Sequence, residues 1–353
     1  MFAFAPRGAP LVPPSPRSVR HWLILGFGCA LMAFLLFRSL HLDDLRAALG
    51  VLRQTSWFWA IPVLFLFELA FLFRTWRYLF LCGRPASFLG AGWRADAMAN
   101  LSGLVGPAGT CMVMRITFMA KYAQCSLGAQ GAAVLVDRVL EWGSLLVLAT
   151  CGLAFAGALG LFGRWSPALI GALVLGLVFI GWLIRTHWFQ RKLGSKRGKL
   201  AKGLASVIEN LKYSASPRIM LRGASLAALS LLLEYAACVL IVHALGLWGR
   251  LGLSGTLTWM AVVVLSFNIP LTPAAVGTHQ LLTIRLMALF GVPASQALVL
   301  SIFHQGCGLL LMSGQGLLAT GVTAWRLRFR ARPAETGSTS GEARAAGSEG
   351  KMD

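Results

Sequence analysis

Asp137, Arg138 and Glu141 place three ionisable groups within about one turn of an otherwise apolar run. At helical spacing Asp137 and Glu141 share a face, and Arg138 reaches Glu141 at i,i+3. Ionisable groups inside a membrane helix are expensive and face the bundle interior or an aqueous cavity. The cluster therefore has two readings. In one, Arg138 holds a lipid phosphate while the acids tune it or relay a proton; in the other, the three charges neutralise one another and pin neighbouring helices. A second constellation surrounds Pro270 and Pro273: Asn268, Thr272, Gly277, Thr278, His279 and Gln280. Unsatisfied amides at a helix start, with the positive end of the dipole, suit an anionic headgroup. His279 titrates near neutrality when unperturbed and reads either as a proton carrier or as a plain hydrogen-bonding residue.

Further charges stand at the edges of apolar runs. Arg74 and Arg77 read as positive-inside anchors beside Trp76 and Tyr78, or as headgroup contacts. Asn100 precedes a Gly/Pro-rich break, and Arg115 and Lys121 frame its exit. Glu68, Glu234 and His304-Gln305 lie within or near apolar runs, with no partner identifiable in the sequence. No metal-ligand spacing, Walker motif, dinucleotide fingerprint or nucleophile elbow is present, so no cofactor or metal is expected. The seven cysteines show no CxxC and read as small packing residues.

The elements that position these groups are membrane helices. Of 353 residues 57% are hydrophobic and 12% charged, with a mean hydropathy of +0.71, more than any water-soluble core of this size needs. Six apolar runs meet or approach the length of about 20 residues that crosses the hydrocarbon: 21–38, 57–81, 129–160, 167–184, 220–246 and 294–322. Two further stretches, 88–120 and 256–291, are interrupted by Pro, Gly and polar residues, and read as broken or re-entrant helices. The connections near 40–54 and 200–214 mix charges with apolar residues at helical spacing and read as interfacial helices. The fold class is an all-α polytopic membrane bundle of six to eight spans.

Lys and Arg total 32 against 12 Asp and Glu, a net charge of +20. The excess gathers in short loops and the two ends, above all in 185–222, so it sets topology and points to anionic lipid headgroups, not nucleic acid. Both termini are then cytoplasmic, with a bacterial inner membrane as the expected location. Residues 1–20 form an N-terminal segment, 21–325 the membrane domain, and 326–353 a disordered tail. Within the domain the order of span, polar connection, span, broken stretch and long span occurs over 21–162 and again over 163–325, starting from the opposite side. An inverted repeat is expected, and paired interrupted segments in such halves mark a midplane binding site in transporters.

The arrangement resembles the transmembrane region of lysylphosphatidylglycerol synthases and its stand-alone, flippase-like relatives. The residues that carry the likeness are Arg74-Thr75-Trp76-Arg77, Asn100 with Pro107 and Gly109, Asp137-Arg138, and Pro270-Leu271-Thr272-Pro273 with Gly277. Thr110, Ala274-Ala275 and Gln280 depart from the pattern, in two places where the family usually has an acid. The likeness implies membrane lipids as ligands, with no synthase activity from the membrane part itself. It leads to the expectation of a lipid transporter admitting a phospholipid or isoprenoid-type headgroup to a polar cavity. Two rivals stay open: a membrane-embedded lipid-modifying enzyme with Asp137 or Glu141 as general base, and a non-catalytic partner of a lipid-biosynthesis enzyme.

Overall fold

The computed structural model describes residues 42–105, 110–155, 199–268 and 275–330. The expected spans at 21–38 and 167–184, the N-terminal segment and the tail from 331 lie outside the described residues, whereas the first five residues of the expected tail, 326–330, continue the last helix. Within them the chain forms ten α-helices and no strand. These are α1 (Leu42–Gln54), α2 (Ala60–Leu81), α3 (Leu89–Val105), α4 (Thr110–Tyr122), α5 (Leu127–Phe155), α6 (Lys199–Ser214), α7 (Pro217–Ala244), α8 (Trp248–Asn268), α9 (Thr278–Ala288) and α10 (Ala294–Arg330). Three described helices are long and apolar enough to cross a membrane: Trp57–Leu81, Pro217–Ala244 and Ala294–Arg326. At 29 residues α5 is also long enough, but it carries Asp137, Arg138 and Glu141 along its first half. Large apolar side chains such as Phe65, Leu221, Leu310 and Leu317 are exposed, as the lipid-facing surface of such a bundle requires.

The two central helices start and stop by the same devices. Ser56 and Ser216 stand in extended conformation ahead of the helical turns that open α2 and α7, and Pro217 takes the first position of α7, where no amide partner is lost. Each helix ends on a left-handed glycine, Gly83 (φ 73°) and Gly246 (φ 66°). The next amide then reaches back five residues, Arg84 to the Leu79 carbonyl and Leu247 to that of Val242, both at 2.9 Å.

α2 and α7 lie side by side and antiparallel. The Ser214 hydroxyl, at the end of α6 just ahead of α7, donates to the Leu81 carbonyl at the end of α2 at 2.9 Å. Val63, near the start of α2, shares a buried cluster with Ala237, Cys238, Ile241 and Val242 near the end of α7. The remaining packing is swapped between halves. α3 packs on α10 as α8 packs on α5; α1 packs on α10 as α6 packs on α5; α2 meets α3 as α7 meets α8. The broken stretches are helical hairpins, α3 against α4 and α8 against α9. Exchanging the halves reproduces each of these pairings, as an inverted repeat about an axis across the central pair demands. Arg74 and Glu234 pair on that axis, 160 residues apart, the same separation as Ser56 and Ser216.

Close approach between the halves depends on small residues. A Cβ at Gly316 of α10 would overlap the Leu101 side chain and come within 3.1 Å of the Ala97 carbonyl of α3, whereas one at Gly314 meets nothing within 4 Å. Gly316→Ala is therefore expected to destabilise the protein by about 1–3 kcal/mol, read as a lowered unfolding temperature in detergent. Gly314→Ala should leave that temperature unchanged, and equal behaviour of the two variants would contradict this packing.

Candidate functional site

Four charged side chains from four helices meet inside the first half. Arg77 of α2 donates through Nε to Asp137 Oδ1 of α5 at 2.7 Å, and both are almost fully buried, at 2% and 3% exposure. Arg115 of α4 grips Asp96 of α3, with Nε 2.8 Å from Oδ1 and Nη2 3.0 Å from Oδ2. Its Nη1 lies 3.9 Å from Asp137 Oδ2, so Arg115 joins the two pairs. The Thr75 hydroxyl donates to Asp96 at 2.9 Å, and the Arg115 guanidinium lies 4.1 Å from the centre of the Tyr78 ring. A two-point grip is what the planar guanidinium fork offers a carboxylate, and a lysine cannot reproduce it. Three buried polar atoms here have no hydrogen-bond partner: Arg77 Nη2, the Tyr78 hydroxyl, and Arg115 Nε, which lies within ion-pair distance of Asp96 without being aligned to donate.

A second pair of ion pairs adjoins this quartet. Arg74 bonds Glu234 across the axis, and Arg138 bonds Glu141 one turn along α5 at 2.8 Å. Arg74 also lies within Coulombic range of Glu141, Asp137 and Arg115. Four guanidinium groups and four carboxylates thus form one electroneutral network. In a membrane an unpaired charge costs several kcal/mol, so electroneutrality is a condition for the fold as well as a feature of the site. Arg138 is its most open member, its side chain 41% exposed against 12% for Glu141.

The matching place in the second half holds uncharged polar groups. Gly277 (φ 87°) opens α9 in a conformation that a side chain would strain, and its amide donates to Gln280 Oε1 at 2.6 Å. Gln280 in turn donates to Gln305 of α10. His279 bonds the Ser301 backbone and lies 5.3 Å from His304, which sits edge-on to Phe67 and Trp259. The Trp259 indole donates to Thr283 at 3.3 Å.

Of the residues singled out in the sequence, Arg74, Arg77, Arg115, Asp137, Arg138 and Glu141 come together. Gly277, His279 and Gln280 form the separate, uncharged site. Asn100 accepts the Cys111 thiol at 3.3 Å and clasps the α3–α4 hairpin. Thr272 and the side chain of Asn268 lie outside what is described. Within that network the direct partners divide: successive helical residues point about 100° apart, so Asp137 pairs with Arg77 of α2 and Arg115 of α4 while Arg138 pairs with Glu141. Sequence reasoning missed Asp96, although the rule that flags an acid in an apolar helix applies to it as to Asp137. It also left Glu234 and Glu68 unpaired; Glu68 accepts from the Trp93 indole at 3.0 Å and from Gln315.

Among the described residues no group of three or more His, Cys, Asp or Glu is placed to hold a metal. One cysteine pair is less isolated than the sequence suggests. Cys82 and Cys125 share a hydrogen bond in the turns after α2 and α4, and that bond, helped by Arg84, brings the Cys125 thiol down to about 7.

The family described as the lysylphosphatidylglycerol synthase TM region matches residues 23–316. The chain belongs to that family. It is a membrane protein, and the family name links it to lipid metabolism. No curated protein and no solved structure matches the chain.

The buried pair yields a stability prediction. Removing one partner leaves an uncompensated charge, so Arg77→Met or Asp137→Leu alone should cost about 3–5 kcal/mol. The double variant should recover most of that loss. Thermal unfolding of the three variants in detergent measures this, and additive losses would show that the two groups do not depend on each other.

Proposed function

We propose that this protein is a lipid transporter of the flippase type, which admits an anionic or zwitterionic headgroup to the polar network while the tails stay in the bilayer. The observation that carries this reading is the buried electroneutral set of four arginines and four carboxylates around the α3–α4 hairpin. Each guanidinium already has a protein counterion. A lipid phosphate therefore enters by exchange with a carboxylate, and the cost is a difference between two pairings instead of the burial of a bare charge. Such binding is weak enough to release the lipid on the far side. Arg77 Nη2 and the Tyr78 hydroxyl supply donors with no protein partner, and Arg138 supplies the accessible first contact.

Alternating access between inverted halves is the movement this reading requires, with the Arg74–Glu234 pair on the axis between them. The reading takes the protein as a carrier and not an enzyme. A general base needs a carboxylate free to take a proton, and the candidates Asp137 and Glu141 are each held by an arginine. It also places the protein in a bacterial inner membrane with both termini cytoplasmic, since the basic 185–222 stretch favours that side.

The test is translocation of labelled lipids with anionic, aminoacylated and isoprenoid headgroups by purified protein in liposomes. The wild-type chain should move one class selectively. Arg138→Ala combined with Glu141→Gln, which keeps the network electroneutral, should slow that movement by about tenfold or more, the loss of one charge-assisted hydrogen bond, with a smaller fall in unfolding temperature than Arg138→Ala alone. No movement of any class by a stably folded protein would overturn the proposal. Conversion of the lipid to a new product would favour the enzyme instead.

A further inference from the structure

Five carboxylates stand in α2, α3, α5 and α7, and four of them pair with an arginine: Asp96, Asp137, Glu141 and Glu234. Glu68 of α2 does not. Among the described residues no Lys, Arg or His lies within ion-pair distance of it. Its partners are neutral donors from two other helices: the Trp93 indole of α3 reaches Oε1 at 3.0 Å, and the Gln315 amide of α10 reaches Oε2. Glu68 stands near the middle of the 25-residue span Trp57–Leu81, ~16 Å or more from either end at the rise of an α-helix.

The charged and titratable groups on the elements packed around α2 are engaged elsewhere. Asp96 of α3 is held by Arg115, Asp137 and Glu141 of α5 by Arg77 and Arg138, and Glu234 of α7 by Arg74. Arg94 of α3 turns back to the Gly90 carbonyl, and the Tyr235 hydroxyl of α7 donates to the Leu253 carbonyl. His304 of α10 stands against Phe67 and His279. A charge at mid-membrane depth must be neutralised, and no side chain does that for Glu68.

The neighbours of Glu68 suit a proton. A carboxylate only accepts, whereas a carboxylic acid also donates once and needs an acceptor. Gln315 carries one: its side chain is 5% exposed, and its Oε1 is buried with no hydrogen-bond partner. Half a turn about the last side-chain bond exchanges the amide N–H for that oxygen, so one residue serves both forms of the acid. A hard metal cation takes about six oxygen ligands, and an indole N–H beside a single amide oxygen does not supply them. The scaffold itself does not require an acid here, since Ala228 stands at the equivalent place in α7, 160 residues on.

We propose that Glu68 is the proton-binding site that couples lipid movement to a proton gradient. The inference rests on the transport reading above and adds its driving ion. The proton arrives from water on one side of the membrane, sits on Glu68 with Gln315 as its acceptor, and leaves to water on the other side when the halves exchange access.

The experiment follows the labelled anionic, aminoacylated and isoprenoid lipids in liposomes holding the full-length protein, against protein-free vesicles, with the membrane potential clamped at zero. A pH difference of about one unit is a tenfold ratio of proton activity, so one proton per lipid supports a leaflet ratio of up to about tenfold for the transported class. A protonophore should abolish that ratio, and a sodium gradient should not replace the pH difference. Glu68→Gln, uncharged and of the same shape as the protonated acid, should still move lipid but leave the leaflets equal, with no fall in unfolding temperature. Gln315→Met, which removes the acceptor, should also lower the ratio, and it decides the matter if the first variant fails to fold. A ratio that survives in both variants, or one driven by sodium, would overturn the proton site and leave the transport reading standing. Wild-type movement that ignores the pH difference would do the same. No movement of any class by the folded protein removes the transport reading and the coupling with it.

Discussion

Arg115 holds two carboxylates that the chain places 41 residues apart, Asp96 on α3 and Asp137 on α5, and the first half of the bundle is organised around that grip. The constraint behind it is electrostatic. A membrane interior offers no water to solvate an isolated charge, so each charge in a helix must meet its opposite from another element. Arg77 must face Asp137, which fixes α2 against α5, and Arg115 must face Asp96, which folds α4 back on α3. The ion pairs choose the register in which the apolar helices pack. Apolar contact alone leaves that register open, because lipid tails satisfy a leucine as well as a neighbouring helix does.

The two halves share a scaffold and differ in chemistry. Helix order, helix termination and the swapped packing of hairpins on long helices recur in each half. One hairpin contributes an aspartate and an arginine to an ionic network, while the other contributes Trp259, Thr283, His279 and Gln280 to an uncharged one. Arg74 and Glu234 occupy equivalent places in the repeat and bear opposite charges. A symmetric pair of identical charges there would repel, so a two-fold scaffold can place an ion pair on its axis only by departing from sequence symmetry.

Much of the architecture was readable in the chain. Four of the six long apolar runs, the two interrupted stretches and the amphipathic connections appear as α2, α5, α7 and α10, the two hairpins, and α1 and α6. These are local properties: hydropathy, helical period and the Pro/Gly breaks act over a few turns. The i,i+3 pair of Arg138 and Glu141 was readable for the same reason.

Composition and the order of runs therefore determined that this is a helical membrane protein with two interrupted segments and a repeated plan. The tertiary structure alone decided which charges meet. Asp96 escaped notice as one acid among alanines, and Glu234 and Glu68 looked solitary, because their partners lie 19, 160 and 247 residues away. It also gave Asp137 and Arg138 different direct partners, since one residue of helix turns a side chain through about 100° and so toward a different neighbour. A sequence shows the charges that must be neutralised; the packing of distant helices determines their partners.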